Sequence, residues 1–288
     1  PAMIMAGESG AADEQFIERV RAQYGLDQPL LTQMATYFTN LISLDFGYSY
    51  RQKRENFDLI IERLPATLLL TGVAYIGALL LGSMIGFIAA RSRAAADSIL
   101  NALSLVFHSM PIFWTGIMLI LLFSLHLGWF PPFGMRAFIP PEGTWNRIVD
   151  VAHHLFLPAL TLTLFYLAIY ARVMRASLKE VQRQDYVETA LAKGASQNRV
   201  WYRHILRNAL IPVVTMAGIQ GGQIIGGSVL IETVFAWPGL GRLAFDAVIQ
   251  RDYNLLLSVF IVTSVCVVLF NIVTDAIYHI IDPRMGAE

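Results

Sequence analysis

The sequence predicts an all-α membrane protein with five membrane-spanning helices, one short cytoplasmic helix and an outer helical cap. Of its 288 residues, 56% are hydrophobic, and the mean hydropathy is +0.54. Only 15% are Asp, Glu, Lys or Arg, whereas soluble domains carry about 25%. Five apolar stretches are long enough to cross about 30 Å of hydrocarbon as helices. They cover residues 65–90, 99–127, 155–174, 209–231 and 255–281.

The N-terminal segment, residues 1–64, comes before the first apolar stretch. Apolar residues at helical spacing in 13–24 and in Leu30–Ile42, with Gly25 and Pro29 between them, predict two helices. We interpret this segment as a small helical cap on the outer face. A ligand-binding role for the cap is the alternative. Residues 65–288 then form the transmembrane domain.

The loop between the third and fourth spans sets the orientation. It carries eight basic residues against the three acidic residues Glu180, Asp185 and Glu188; the basic ones are Arg172, Arg175, Lys179, Arg183, Lys193, Arg199, Arg203 and Arg207. Loops rich in Lys and Arg stay in the cytoplasm. This loop and the Arg91/Arg93 loop are therefore predicted to be cytoplasmic. The loops around 130–153 and 232–254 would lie outside, and the C-terminal tail would lie inside.

Five spans that end inside place the N-terminal segment outside, with nothing before Pro1 to carry it across the membrane. We therefore expect a sixth span, first in the native protein, to be missing from this chain. A signal peptide removed during maturation is the alternative.

Small residues recur within the spans. Gly82 and Gly86 are four residues apart, and so are Gly218, Gly222 and Gly226. Such rows let helix backbones approach closely in lipid. For the second row, packing within this chain and packing against a second transmembrane subunit remain equal alternatives.

Polar groups inside the spans are few. Asn271, Asp275 and His279 share one helix face, which favours a local hydrogen-bonded cluster over a proton relay. His108 near Pro111 is interpreted as a satisfied histidine at a kink. The single Cys266 excludes a disulfide framework.

A short helix with both ends marked is predicted at "DYVETALAKG". Asp185 at the N-cap and Glu188 three residues later have the spacing of a capping box. At the other end, Lys193 falls in the last turn, and Gly194 suits the left-handed position after the helix.

The apolar stripe of this helix consists of Val187, Ala190 and Leu191. Isolated helices below about 12 residues are marginal in water, so the stripe needs a cover. An interfacial helix in the membrane would use larger anchors. A groove on another protein therefore fits better.

This loop resembles the EAA-type cytoplasmic loop of permease subunits in ATP-binding-cassette importers. "DYVETALAKGASQNRVWYRHILRNALIPVVT" is similar throughout to the dipeptide, oligopeptide and nickel permease family, in particular to the first permease of dipeptide transporters. "GLDQPL", "DFGYS", "RLPATL", "SMPIFW", "ETVFAWPGLGRL", "RDY" and "DPR" agree. The chain departs from the general pattern in two ways: Thr189 replaces the first alanine of the pattern, and the spacing from Gly194 to Pro212 is long.

The resemblance implies that this helix is a coupling helix within the loop 176–208, docked in a separate ATPase subunit. Its implied coupling residues are Asp185, Tyr186, Val187, Glu188, Ala190, Leu191, Lys193 and Gly194. It also implies a homologous second permease, two ATPase subunits that bind ATP and Mg, and an extracytoplasmic binding protein. The expected location is a bacterial cytoplasmic (inner) membrane, and no cofactor, metal or nucleic acid is expected on this chain. The expected cargo is di- or oligopeptides, with glutathione or chelated nickel as alternatives.

Candidates for the substrate path lie near the fourth span. Gln220, Gln223 and Ser228 offer polar groups to a peptide backbone, although packing glutamines are equally possible. "WPGLG" predicts either an interfacial tryptophan with a Pro-Gly turn or, by the resemblance, a re-entrant element beside the path. Its candidate residues are Trp237, Pro238 and Gly239.

Other function classes find less support. A P-loop needs Gly-Lys-Ser/Thr, but the three lysines follow Gln52, Leu178 and Ala192, so ATP must be hydrolysed by partners. An ion-coupled secondary transporter is the strongest competitor, yet it would use internal repeats and a midplane ion site. No H-E-x-x-H pattern occurs, and the adjacent His153 and His154 do not indicate a metal site.

Overall fold

A computed structural model describes residues 28–91, 106 and 109–281. The described chain is helical apart from one small hairpin and its connecting loops. Its elements, in order, are α1 (Leu30–Ile42), β1 (Tyr48–Ser49), β2 (Arg54–Glu55), α2 (Asn56–Arg91), α3 (Ile112–Leu119) with a first π segment (Ile120–His126), α4 (Thr144–Val181), α5 (Asp185–Ala192), α6 (Gln197–Arg199) with a second π segment (Val200–Ile205), α7 (Leu206–Val234), α8 (Leu240–Ile249) and α9 (Tyr253–Ile281).

Three helices of the described chain, α2, α4 and α9, are long and apolar enough to cross a membrane. A fourth span is obtained when Gln197–Ile224 and Ser228–Val234 are counted together across a bend of 52°. The apolar helix Ile112–His126 is shorter and lies within the second predicted span, most of whose first ten residues fall outside the described part. The mostly helical fold is confirmed, and the count of five spans stays a prediction.

Two predicted boundaries were too narrow or misplaced. Helix α4 has 38 residues and extends beyond both ends of the predicted span 155–174, because its polar ends continue the helix outside the apolar stretch. Pro212 lies inside α7, and α6, the second π segment and α7 follow one another without a break. The fourth span, predicted at 209–231, is therefore continuous at its start with the helical segment that begins at Gln197.

Helices α2 and α4 pack backbone to backbone, which confirms the prediction from the first glycine pair. A Cβ on Gly82 would lie 2.7 Å from the carbonyl oxygen of Leu167, and one on Gly86 would lie 2.5 Å from that of Ala171. Any larger side chain would push the helices apart. Around this contact lies the main hydrophobic core, which includes Leu70, Leu162, Tyr170, Met174 and Leu178.

The second glycine row packs within the chain over part of its length. A Cβ on Gly218 would lie 3.0 Å from Cγ2 of Thr274, and one on Gly222 would lie 2.8 Å from Cγ1 of Val267, both on α9. Gly226 has no described atom within 4 Å of such a Cβ. Only Gly226 is left for contact with a second subunit.

The segment between α1 and α2 contains a hairpin that was not predicted from the sequence. Strands β1 and β2 pair antiparallel, with Tyr48 opposite Glu55. The hairpin is fixed to the start of α9, because Asn254 Nδ2 donates to the Tyr48 carbonyl at 3.3 Å and Ser49 Oγ donates to the Asp252 carboxylate. Helix α1 matches its predicted bounds, whereas the predicted helix at 13–24 lies outside the described residues.

Candidate functional site

Helix α5 begins one residue earlier than predicted, so the capping box is wrong. The N-cap position is taken by Gln184, whose backbone is extended (φ −81°, ψ 142°), and no side chain caps the helix. Only three residues, 182–184, connect α4 to α5, and the Gln184 amide donates to the Val181 carbonyl at 3.2 Å. This tight link places Asp185 inside the first turn. Asp185 and Glu188 still lie near the positive end of the helix dipole.

The C-terminal end of α5 has the predicted geometry. Gly194 has φ +80°, the left-handed conformation that only glycine adopts at little cost. Its amide donates to the Leu191 carbonyl at 2.9 Å, and the Ala195 amide donates to the Ala190 carbonyl at 3.2 Å. These two bonds form a Schellman motif. The helix therefore ends sharply, with Gly194 just beyond its C-cap Lys193.

The apolar stripe of α5 is divided between two environments. Val187 is 4% exposed and belongs to the same core cluster as Val200 and Ile205 of the second π segment, and the half-buried Ala190 packs against this cluster. Leu191 is 47% exposed. The expectation that another protein covers the whole stripe is thus wrong for Val187, which is buried where α5 packs against the second π segment of the same chain. Ala190 is only partly covered. The open surface consists of Asp185, Tyr186, Glu188, Thr189, Leu191, Ala192 and Lys193.

A hydrogen bond also connects α5 to the base of α7. Asn208 Nδ2 donates to the Tyr186 hydroxyl at 3.0 Å and to the His204 carbonyl at 2.8 Å. The short helix is therefore held by α4 through the chain, by the second π segment through Val187, and by α7 through Tyr186.

At the opposite end of α7, the WPGLG loop is packed into the protein. Trp237 is fully buried, and its Nε1 donates to the Ala66 carbonyl of α2 at 2.8 Å. Gly239 is also buried, and a Cβ there would lie 2.3 Å from Glu232 Oε2. The interfacial-tryptophan interpretation is therefore wrong. In this conformation Trp237 and Gly239 present no surface to a substrate, whereas Pro238 is half-buried.

Glu232 holds this loop, a role that its predicted place in the loop around 232–254 does not indicate. The side chain is 0% exposed. Its Oε1 accepts from the hydroxyls of Thr67 at 2.8 Å and Ser228 at 3.1 Å, and its carboxylate accepts from the amides of Arg242 at 3.0 Å and of Gly241. These two amides belong to the first turn of α8, where a helix favours negative charge. An acid at the end of an apolar run was the available signal.

Thr67 completes this cluster. Its hydroxyl donates to Glu232 and accepts from the Leu240 amide at 2.7 Å. We call Thr67, Ser228, Glu232 and the first turn of α8 the outer cluster. It joins α2, α7 and α8 by hydrogen bonds that are buried, except for the partly buried bond from the Arg242 amide.

The predicted path residues are separated by the structure. Ser228 is fully buried in the outer cluster, and Gln220 is 8% exposed. Gln223 is exposed on α7, in line with Thr215, Ile219 and Gly226, which are exposed as well. Spacings of three and four residues place these on one helix face. Of the three predicted polar groups on α7, only Gln223 is open to the surroundings of the chain.

The adjacent histidines, His153 and His154, are engaged locally. His153 Nε2 lies 2.7 Å from the Trp129 carbonyl, and His154 Nδ1 lies 2.8 Å from the Asp150 carbonyl. The described residues contain no group of three or more His, Cys, Asp or Glu side chains that could hold a metal ion. The side chains of His108, Asp275 and His279 lie outside the described part of the chain.

Comparison with known proteins places this arrangement in a family. Residues 82–287 match the family described as "Binding-protein-dependent transport system inner membrane component". The chain belongs to this family. The family assignment made from the coupling-loop motifs is thereby confirmed, and the protein is a permease component of a bacterial ATP-binding-cassette importer in the inner membrane.

Several curated relatives align with this permease over nearly its whole length. The oligopeptide transport system permease protein AppB of Bacillus subtilis is 40% identical over 96% of this chain and 86% of its own. The glutathione transport system permease protein GsiC of Escherichia coli K12 is 41% identical over 99% and 88%. The di/tripeptide transport system permease protein DppB of Pseudomonas aeruginosa is 38% identical over 99% and 89%.

Solved structures share the fold. An inward-facing conformation of the MetNI methionine transporter has a TM-score of 0.62 and 19% identity, covering 78% of this chain and 96% of the solved one. An amino acid transporter crystallised with histidines has a TM-score of 0.54 and 17% identity, covering 79% and 94%. At these identities the similarity concerns the fold of the permease alone.

Proposed function

We propose that this permease forms half of the translocation pore of an ATP-driven importer for di- or oligopeptides and that α5 couples it to separate ATPase subunits. The observation that carries the proposal is a short exposed helix, α5, fixed to three elements of the helical bundle in a chain of this family. The exposed side chains of α5 form the docking surface. Val187 and Ala190 hold the helix on its own bundle.

The composition of the docking surface favours a protein partner. It combines Leu191 and Tyr186 with the charges of Asp185, Glu188 and Lys193 around the first and last turns. An apolar centre with a charged rim is typical of protein interfaces. Since the chain has no P-loop, the partner supplies ATP hydrolysis with its bound ATP and Mg.

The exposed face of α7 is proposed to line the path for the cargo. Thr215 and Gln223 offer neutral hydrogen-bonding groups along a face that is otherwise apolar and small, with Ile219 and Gly226. Neutral donors and acceptors suit peptide groups and bind them weakly enough for release. Glutathione, which carries peptide bonds, is the alternative cargo, and a chelated nickel complex is a further one.

Membership of this family supports the rest of the proposed assembly. A second, homologous permease would complete the pore, and an extracytoplasmic binding protein would deliver the cargo to the outer side. Residues 1–64 are proposed to lie outside and residues 65–288 to form the permease domain, with the C-terminus in the cytoplasm. Approach of the two ATPases would tilt the permeases against each other and alternate access to the path.

Transport in sealed vesicles tests this proposal against the ion-coupled alternative. The complex purified from its native membrane is reconstituted with its binding protein, and uptake of a labelled dipeptide is measured with ATP alone and with an ion gradient alone. We expect uptake with ATP alone. Uptake driven only by the gradient would contradict the proposal and support a secondary transporter.

A matched pair of variants tests the proposal that α7 lines the substrate path. We expect Gln223→Leu to change uptake of at least one peptide severalfold, because its amide is exposed on α7. Gln220→Leu serves as the comparison, since Gln220 is buried. Unchanged uptake of every peptide tested in Gln223→Leu would contradict the assignment.

A further inference from the structure

Three side chains meet at the cytoplasmic end of α2. The guanidinium carbon of Arg91 lies 5.0 Å from the ring centroid of Trp201 and 5.5 Å from that of Phe87. The Phe87 and Trp201 rings are 5.8 Å apart and nearly perpendicular, at 81°. Both contacts of the cation are within the range of a cation–π interaction, and the two rings have an edge-to-face geometry. We call Phe87, Arg91 and Trp201 the inner clamp.

The inner clamp joins elements that are far apart in sequence. Phe87 and Arg91 belong to the last turn of α2, whereas Trp201 belongs to the second π segment. Phe87 and Trp201 are half-buried against the main core, and Arg91 is exposed. The cation therefore covers the exposed side of an aromatic contact that is itself partly buried.

The second π segment also packs against α5. Val200 and Ile205 are buried with Val187 of α5, and Trp201 follows Val200 directly. A displacement of α5 therefore acts on the same six-residue segment that Arg91 and Phe87 hold from the other side. π segments are rare and are often found at functional sites. Without the clamp, the segment could shift while α2 stayed in place.

On its other side, the end of α2 is fixed to α4. Gly86, next to Phe87, lies so close to the Ala171 carbonyl that a Cβ there would be 2.5 Å from its oxygen. Helices α2 and α4 therefore move together at this end. A force that reaches Trp201 and Phe87 acts on this helix pair, while α7 continues directly from the π segment.

We propose that the inner clamp is a positioning device that transmits displacement of α5 to the α2–α4 pair, so that ATP hydrolysis is coupled to movement of the path. This inference rests on the proposed function, because it needs an ATPase that pushes α5. It assigns to Arg91 and Trp201 a role in coupling that does not require either residue to contact the cargo or the ATPase.

The test uses the whole transporter, purified with its partners and reconstituted in vesicles. Two quantities are measured in parallel, the ATPase rate and the uptake of a labelled dipeptide, and their ratio gives the number of peptides moved per ATP. The first variant is Arg91→Gln, which removes the cation. Arg91→Lys retains a cation over the rings, and Arg203→Gln removes an exposed arginine from the same π segment as a control.

We expect Arg91→Gln to assemble with the ATPases and to hydrolyse ATP within twofold of the wild-type rate, while peptides moved per ATP fall at least fivefold. Arg91→Lys should restore at least half of the ratio, and Arg203→Gln should leave it unchanged. Trp201→Leu, which keeps apolar bulk but loses the large π face, should reproduce the loss, and Trp201→Phe should be milder.

The two proposals fail in different ways. If the wild-type complex shows no ATP-driven uptake, the proposed function is contradicted, and the clamp loses its basis with it. If the wild type transports and Arg91→Gln and Trp201→Leu keep the wild-type ratio, only the clamp is contradicted. If both variants lose assembly with the ATPases, their role is structural, and the proposal of a transmitting clamp is equally overturned.

Discussion

Replacing Glu232 should destabilise the WPGLG loop, and the free energy lost should depend on hydrogen bonding more than on charge. The carboxylate is fully buried and accepts from two hydroxyls and two amides. Glu232→Leu leaves the amides of Gly241 and Arg242 without an acceptor. Each buried unsatisfied donor costs about 1–3 kcal/mol, so the loss is about 4 kcal/mol.

Glu232→Gln should be far milder, because its amide group can replace all four contacts. With the carbonyl oxygen toward the two amides, the NH2 group donates to the hydroxyls of Thr67 and Ser228, which can rotate to accept. The variant loses the strengthening that a charged acceptor gives, which is about 1 kcal/mol. The two substitutions therefore separate acceptor geometry from charge.

Hydrogen exchange of the peptide containing Gly241 and Arg242 measures this difference directly. Opening of the loop exposes these amides, and each 1.4 kcal/mol changes the opening constant about tenfold. We expect exchange to be about 10³-fold faster in Glu232→Leu and less than about tenfold faster in Glu232→Gln. Asp246→Asn, on the same helix but with a 45% exposed carboxylate 4.0 Å from Arg242, is the control and should change little. Wild-type exchange in Glu232→Leu would refute the assignment of Glu232 as the group that holds α8.

Three further predictions concern packing and helix ends. Gly194→Val should destabilise the end of α5 by about 1–2 kcal/mol, because residue 194 has a left-handed backbone at φ +80°. We expect the variant to reduce co-purification of the ATPase about tenfold. Unaltered assembly and transport would contradict the coupling-helix assignment. Gly86→Ala should destabilise the protein by about 1–3 kcal/mol in thermal unfolding, whereas Gly72→Ala, with no described atom within 4 Å of its Cβ, should be neutral; equal melting temperatures would refute close α2–α4 packing. Tyr170→Phe should keep or raise stability by up to about 1 kcal/mol, because the buried hydroxyl has no partner among the described residues; a clear loss would reveal a partner.

Local features of this fold could be predicted well from the sequence. The apolar stretches predicted the helices α2, α4 and α9, and Gly194 predicted the end of α5, because hydrophobic periodicity and left-handed glycines act within a few residues. The start of α5 was missed since the three-residue link to α4, not the capping potential of Asp185, fixes it.

Contacts between distant segments were harder to predict. Thr67 and Glu232 are 165 residues apart, so no spacing rule indicates that they form a hydrogen bond. The same holds for Trp237, which looked like an interfacial residue but donates to Ala66 across 171 residues. Val187 was assigned to a partner's groove because the sequence does not show that the chain returns to cover it. In each case the missing information is which elements the fold brings together.

The most direct test of the coupling assignment is photo-crosslinking from α5 in the native membrane. A photoreactive residue is placed at the exposed Leu191 in one variant and at the buried Val187 in another, and crosslinked proteins are identified by mass. We expect position 191 to capture a P-loop ATPase and position 187 to yield crosslinks within this chain. If position 191 captures no ATPase, in membranes where an ion gradient alone still drives peptide uptake, the coupling assignment is contradicted.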